Sequence, residues 1–388
     1  MRFLRGSRPG TILLAAAAAA ASAVAVPAAA SAAAGASPVV WHVYVNDNTA
    51  GTNTIGVFDR HANGTLTPNA GSPFAAGGAG TGAGLASQGA LQISPDGRFL
   101  IAVDAGSNQV SALRILPGGS LKLAPGGVVS SGGVQPVSIA IHDSLVYVAN
   151  SGTGGSNYTG FKLGDDGQLA PLAGSTVALP DGSQPGDVLF DSTGHKLVGA
   201  RIGTSLIDSF TVGSDGHLTP APASPFPAQG LGPFGSEFRP TNPRQLFVSN
   251  AHNGAGAGTV SAFRDTAHGT LTSIGSSPFA DNQTAPCWVE ITQNGRFLFT
   301  TNTASGTVSR YSIAPGGALT LLGSTPVRGT GVGVVDARLS PDGQFLYVDE
   351  IGTRAVAAFA VHAGNLTELA SSPASLPAGA APAGIVVT

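Results

Sequence analysis

Hydrophobic and polar positions alternate in short runs along most of the chain, and no run has a helical interval of useful length. Trp41-His42-Val43-Tyr44-Val45 and Phe345-Leu346-Tyr347-Val348 are examples of four to six residues bounded by turn residues. Such runs predict strands. They also recur. A leucine preceded two residues earlier by a turn residue, and followed six later by Ser-Pro-Phe or a variant, stands at Leu66, Leu121, Leu169, Leu218, Leu271, Leu319 and Leu366. The intervals are 55, 48, 49, 53, 48 and 47 residues. Ahead of each leucine lies a pair of apolar residues three apart, such as Ile55/Phe58, Ile207/Phe210 and Val356/Phe359. A tight turn, Ser-Pro-Asp-Gly, begins at Ser94 and Ser340, with a degenerate copy at Thr292-Gln293-Asn294-Gly295. Each unit therefore reads strand, turn, strand, loop, strand, turn, strand.

Seven copies of a four-stranded unit at this spacing predict an all-β chain folded as a seven-bladed β-propeller of antiparallel blades. The first copy lacks an inner strand, and the chain finishes on an isolated apolar run, Gly384-Ile385-Val386-Val387-Thr388. That run is expected to complete blade 1 from inside and close the ring. Closure would hide an edge otherwise open to intermolecular pairing.

Residues 1–34 stand outside the repeat. Arg2, Arg5 and Arg8 precede an alanine-rich apolar run from Thr11 to Val26, and Ala30-Ser31-Ala32 fits a small-x-small cleavage site. The pattern predicts a cleaved signal peptide, leaving residues 35–388 as a secreted, extracellular propeller domain without membrane insertion. Composition narrows the chemistry. Only 10% of residues are charged, the net charge is −3, and one cysteine, Cys287, is present. A nucleic-acid footprint, a disulfide framework and a thiolate zinc site are excluded on these counts.

The inner strands precede the Ser-Pro-Asp-Gly turns. Counting back, the residues one and three before the turn are mostly apolar, whereas those two and four before it include Gln92, Asp187, Glu237, Glu290 with Trp288, and Arg338 with Asp336. Side chains of a strand alternate between its faces, so the second set is expected to turn toward the central channel. Five charges thus gather in blades 4 to 7, and Glu237 and Glu290 hold equivalent positions in adjacent blades. Such a group can form a satisfied polar network, work as acid and base with Arg338, or hold a divalent cation such as calcium; no other cofactor is implied. The residues ending the second strands are Asp104, Asn150, Arg201, Asn250, Asn302 and Glu350. Asn and Asp hold turns there; Arg201 is the candidate for an anion or carbonyl contact, and His252, two residues after Asn250, the candidate loop base.

Ser94-Pro95-Asp96-Gly97-Arg98-Phe99-Leu100, Ser340-Pro341-Asp342-Gly343-Gln344-Phe345-Leu346-Tyr347-Val348, Val110-Ser111 and Val308-Ser309 resemble the repeats of lactonase-like seven-bladed propellers. That group includes 6-phosphogluconolactonase and carboxymuconate cyclase, within the wider YVTN-type propellers. The resemblance implies lactone hydrolysis in the channel. It also implies Asp-Leu-Gly-x-Asp after an early second strand, where this chain reads Asp104-Ala105-Gly106-Ser107-Asn108, and a histidine ahead of that blade's inner strand, where it reads Ser87-Gln88-Gly89-Ala90-Leu91-Gln92. An acidic channel points away from phosphosugars, since a phosphate wants several cations. Two readings follow. One is a hydrolase of a non-phosphorylated lactone using Glu237, Glu290 and Arg338, with Asp187, Arg201, His252, Trp288, Asp336 and Gln92 binding substrate. The other is a non-catalytic extracellular scaffold for a small-molecule ligand or a protein.

Overall fold

A computed structural model describes residues 37–329 and 333–388, and residues 1–34, where a signal peptide is expected, lie outside the described residues. Seven sheets are present, each with four strands in antiparallel order from an inner to an outer strand. Five of them carry an additional strand paired with the third. The inner strands of blades 2 to 7 are Leu91–Ile93, Pro136–His142, Pro185–Phe190, Pro233–Arg239, Pro286–Ile291 and Val334–Leu339. Among the described residues the one helical element is a 3-10 turn, Pro117–Gly119. No described helix is long and apolar enough to cross a membrane.

The repeated sequence signatures each satisfy backbone groups. In the first turn, Ser94 Oγ donates to Asp96 Oδ1 (2.6 Å) and accepts from Phe99 N (2.9 Å), while Gly97 takes φ +71°. Ser340-Pro341-Asp342-Gly343 repeats this arrangement, and Thr292 and Asn294 reproduce it with other side chains. The serine of the Ser-Pro-Phe signature serves a third-strand amide. Ser72, Ser224 and Ser277 accept from Val57 N, Ser209 N and Ala262 N, each fifteen residues earlier, at 2.7–3.0 Å. These donors lie where the fourth strand leaves the blade, and a buried N–H there needs a substitute partner.

The second-strand ends form a ladder of their own. Asn46 pairs with Asn53, Asp104 with Ser111, Asn150 with Asn157, Arg201 with Asp208 and Asn302 with Ser309, all seven residues apart across the turn to strand three. Asn250 reaches Ser261 in the same way.

The C-terminal strand Ile385–Val387 pairs with Val39–Asn46 in the register Val43↔Val387, Tyr44↔Val386 and Val45↔Ile385, which closes the ring as the sequence predicts. Asn46 N donates to Gly384 O and Thr388 N to His42 O, extending the ladder at both ends. Between blades lies the core. One cluster joins blades 7 and 1 through Val43, Val45, Phe58, Phe345, Tyr347 and Ile385, and comparable clusters fill the other seams.

Candidate functional site

The channel wall is made of the inner strands, and its character changes along the axis. At the face carrying the Ser-Pro-Asp-Gly turns, Glu237, Glu290 and Arg338 come from three successive blades. They converge on a cavity of about 390 Å³ that Pro240, Ile291, Gln293, Leu339, Pro341 and Val387 also line. Glu290 is buried, whereas Glu237 and Arg338 are half-buried and reach the opening.

Glu290 is held by two donors. Its Oε1 accepts from Leu339 N at 2.9 Å, and its Oε2 accepts from Arg338 Nη1 at 3.3 Å. Burial raises the Glu290 pKa, against the pull of Arg338 and the Leu339 amide. Burial and then the Glu290 charge push Glu237 well above the ordinary carboxylate range, opposed by Arg338. The two donors on Glu290 favour its ionisation ahead of Glu237. Burial works against the Arg338 charge, but Glu290, Asp336, Glu237 and Asp187 together raise its pKa, so it stays a cation. Two carboxyls held unequally beside a fixed cation form an acid–base arrangement.

The opposite end of the channel is filled. Phe234 and Trp288 meet edge to face at 5.0 Å between ring centroids, and Ile202, Ala251, Cys287 and Val335 pack around them. Burial pushes the Cys287 thiol up to about 12, so it is an inert packed group. The segment leading into blade 2 crosses just below. Gln88 Nε2 donates to Ser236 O (2.8 Å), its Oε1 accepts from Val289 N (2.9 Å), and its own amide donates to Gly186 O (2.9 Å). Next to it, Gly89 N donates to Asp336 Oδ2 at 3.2 Å. One short segment thus ties blades 4, 5, 6 and 7 together, leaving a blind pocket.

A model of the family described as lactonase, 7-bladed β-propeller, matches residues 79–250 and 238–387. The chain belongs to the seven-bladed β-propeller lactonase family. This lactonase-family propeller is also similar to a putative 6-phosphogluconolactonase of Bacteroides uniformis (TM-score 0.71, 19% identity, covering 90% of this chain and 99% of that one). It is similar as well to the periplasmic gluconolactonase PpgL of Pseudomonas aeruginosa (TM-score 0.69, 18% identity, 89% and 98% covered). At these identities the likeness concerns the fold. No curated protein matches the chain.

Of the nine residues singled out in the sequence of this lactonase-family member, three share the cavity: Glu237, Glu290 and Arg338. The other six are placed elsewhere. Trp288 is packed in the apolar plug, since its ring has Phe234 as a neighbour and is 4% exposed. Asp187 bridges blades, accepting from Ser236 N at 2.9 Å and from the Ser138 hydroxyl, and burial raises it to about 7. Asp336 is drawn to Gly89 N and Ala337 N, and burial raises it to about 6. Gln92 Nε2 lies beside Gly89, on another part of the channel wall. Arg201 is not a free mouth cation: Asp208 takes its Nε at 2.6 Å as well as its Nη2, and Tyr158 Oη binds the same carboxylate. His252 is exposed on the face of the strand 2–3 loops, at the far end of the channel from the cavity.

Gln88 was missed because loops carry no period. The usable signal was Gly235, where a Cβ would come within 2.1 Å of Gln88 Oε1. Replacing Gln88 by Ala strands a buried carbonyl and a buried amide, at about 1–3 kcal/mol apiece before water refills the gap. We expect a net loss of about 2 kcal/mol in urea denaturation; an unchanged midpoint would show that the tether contributes nothing. Among the described residues no three His, Cys, Asp or Glu side chains are placed to hold a metal ion.

Proposed function

We propose that the protein hydrolyses a neutral, non-phosphorylated lactone in the cavity of Glu237, Glu290 and Arg338, and does so outside the cytoplasm after export directed by residues 1–34. The observation that carries this reading is the split between the two carboxyls. Glu290 takes a proton from water as it adds to the carbonyl carbon, and Arg338 stabilises the oxyanion that forms. When the ring C–O bond breaks, Glu237 gives its proton to the departing oxygen, and a hydroxy acid is released. The single cation at the cavity is already matched by Glu290, which leaves nothing to neutralise a phosphate and favours an uncharged ring.

The test is hydrolysis of an unphosphorylated aldono-δ-lactone followed with a pH indicator, comparing the wild type with Glu290→Gln and Glu237→Gln. We expect kcat/KM to fall at least about 100-fold in Glu290→Gln, the usual scale for losing a general base. Equal background rates in all three proteins would reject the reading. The Glu290–Arg338 contact, with the two groups closing on each other, favours the scaffold reading in that event, with a small-molecule ligand or extracellular protein as partner.

A further inference from the structure

We propose that the seam between blades 7 and 1 is a proton-dependent clasp, shut while Asp349 and Asp47 retain a proton between them and loosened when both ionise. The placement follows from strand parity. Phe345 and Tyr347 point into this seam, so Asp349, next in the same alternation, does too. From blade 1, Val43 and Val45 enter the same seam, and Asp47, one residue past the end of their strand, continues their series because its amide still donates to Thr54 O at 2.9 Å. Both aspartates are at 0% exposure.

Their hydrogen bonding is incomplete. Among the described residues neither oxygen of Asp349 has a partner, and Asp47 Oδ1 has none. The one side-chain bond to the pair runs from Thr54 Oγ1 to Asp47 Oδ2 at 2.8 Å. The groups acting on the Asp349 charge are Asp336 on the inner strand, Asp47 across the seam and Glu350 beside it on its own strand, all acidic. The third strand presents Val356 opposite Asp349. No cation is among the groups acting on either carboxyl. A buried carboxylate without donors is far costlier than the neutral acid. Burial accordingly raises Asp47 to about 7 and Asp349 well above its ordinary value.

The pair is wired to the closing strand. Asp47 O accepts from Ala381 N at 2.8 Å, and Ala383 N donates to Asn46 O at 2.9 Å, so the lead-in to Ile385–Val387 hangs on the backbone that carries Asp47. Repulsion between two ionised seam carboxylates acts directly on that lead-in. The sign is fixed by linkage. Both pKa values lie above the unfolded value, so the closed seam binds more protons than the open one. Closure is favoured fully near pH 4 and weakens as pH climbs through about 7 and beyond.

Native-state hydrogen exchange of the amides of Ala381 and residues 383–388 on the full chain, corrected for intrinsic rates, tests this at pH 5.5 and 8.5. We expect seam opening to be at least about tenfold more favourable at pH 8.5, the effect of one pKa unit on one proton, while amides of the blade 4 strand Lys196–Arg201 change less. Asp349→Asn keeps the shape and removes the charge, and should make seam opening nearly independent of pH. Should that variant fail to fold, Asp47→Asn provides the same comparison. Seam protection equal at the two pH values in the wild type, or an unaltered pH dependence in the Asn variant, overturns the proposal.

Discussion

Removing residues 384–388 is expected to abolish a stable monomeric fold. The deletion strips Ile385, Val386 and Val387 from blade 1, where they are 0%, 4% and 9% exposed. At about 1.5–3 kcal/mol for each buried aliphatic side chain, the loss over three is about 4.5–9 kcal/mol before any backbone contribution. A domain's entire margin is about 5–15 kcal/mol. The deletion also uncovers the backbone edge of Val39–Asn46 and the apolar seam facing blade 7. Calorimetry should show a sharply lowered or missing transition, and size-exclusion chromatography should show self-association through the open edge. A truncated protein that melts at the wild-type temperature as a monomer would mean that the other blades hold the ring without closure.

The second large effect is expected from Arg338→Met. Arg338 is the cation that Glu290 contacts, and its charge also acts on Glu237 and Asp336. Breaking one side of a buried ion pair costs about 3–5 kcal/mol, because the remaining charge is stranded. The Arg338 side chain is 26% exposed, so water softens the effect toward the lower figure. The loss should depend on pH. Without the arginine, the pKa values of Glu237, Glu290 and Asp336 rise further in the folded state. Folding then takes up protons, and the penalty grows from pH 5 to pH 8. Chemical denaturation at the two pH values reads this directly. An equal penalty at both would indicate that the arginine contributes packing alone.

These outcomes separate what sequence reading reached from what it did not. Blades were legible because every unit must satisfy the same backbone groups. The serine of Ser-Pro-Phe recurs because a third-strand amide fifteen residues back needs its hydroxyl. Ser-Pro-Asp-Gly recurs because serine, aspartate and a left-handed glycine together close the same turn. The convergence of Glu237, Glu290 and Arg338 was legible from period-two alternation in the inner strands. Arg201 misled because it was judged alone. Read beside Asp208, it falls into the seven-residue pairing that Asn46/Asn53, Asn150/Asn157 and Asn302/Ser309 also show, and its role as a rung follows. Trp288 shares a strand face with Glu290, but alternation fixes only the direction of a side chain. Its depth along the channel, beside Phe234, depends on how neighbouring blades are staggered. Asp349 was passed over because nothing in a strand pattern shows whether a polar residue finds donors in the next blade.

The Gln88 crossbar has a consequence for traffic. With one end of the bore stopped, a molecule lodged beside Glu290 must back out through the doorway it came in by. Successive guests cannot queue from opposite sides, so each departure has to precede the next arrival, and anything lingering at the threshold obstructs both movements at once.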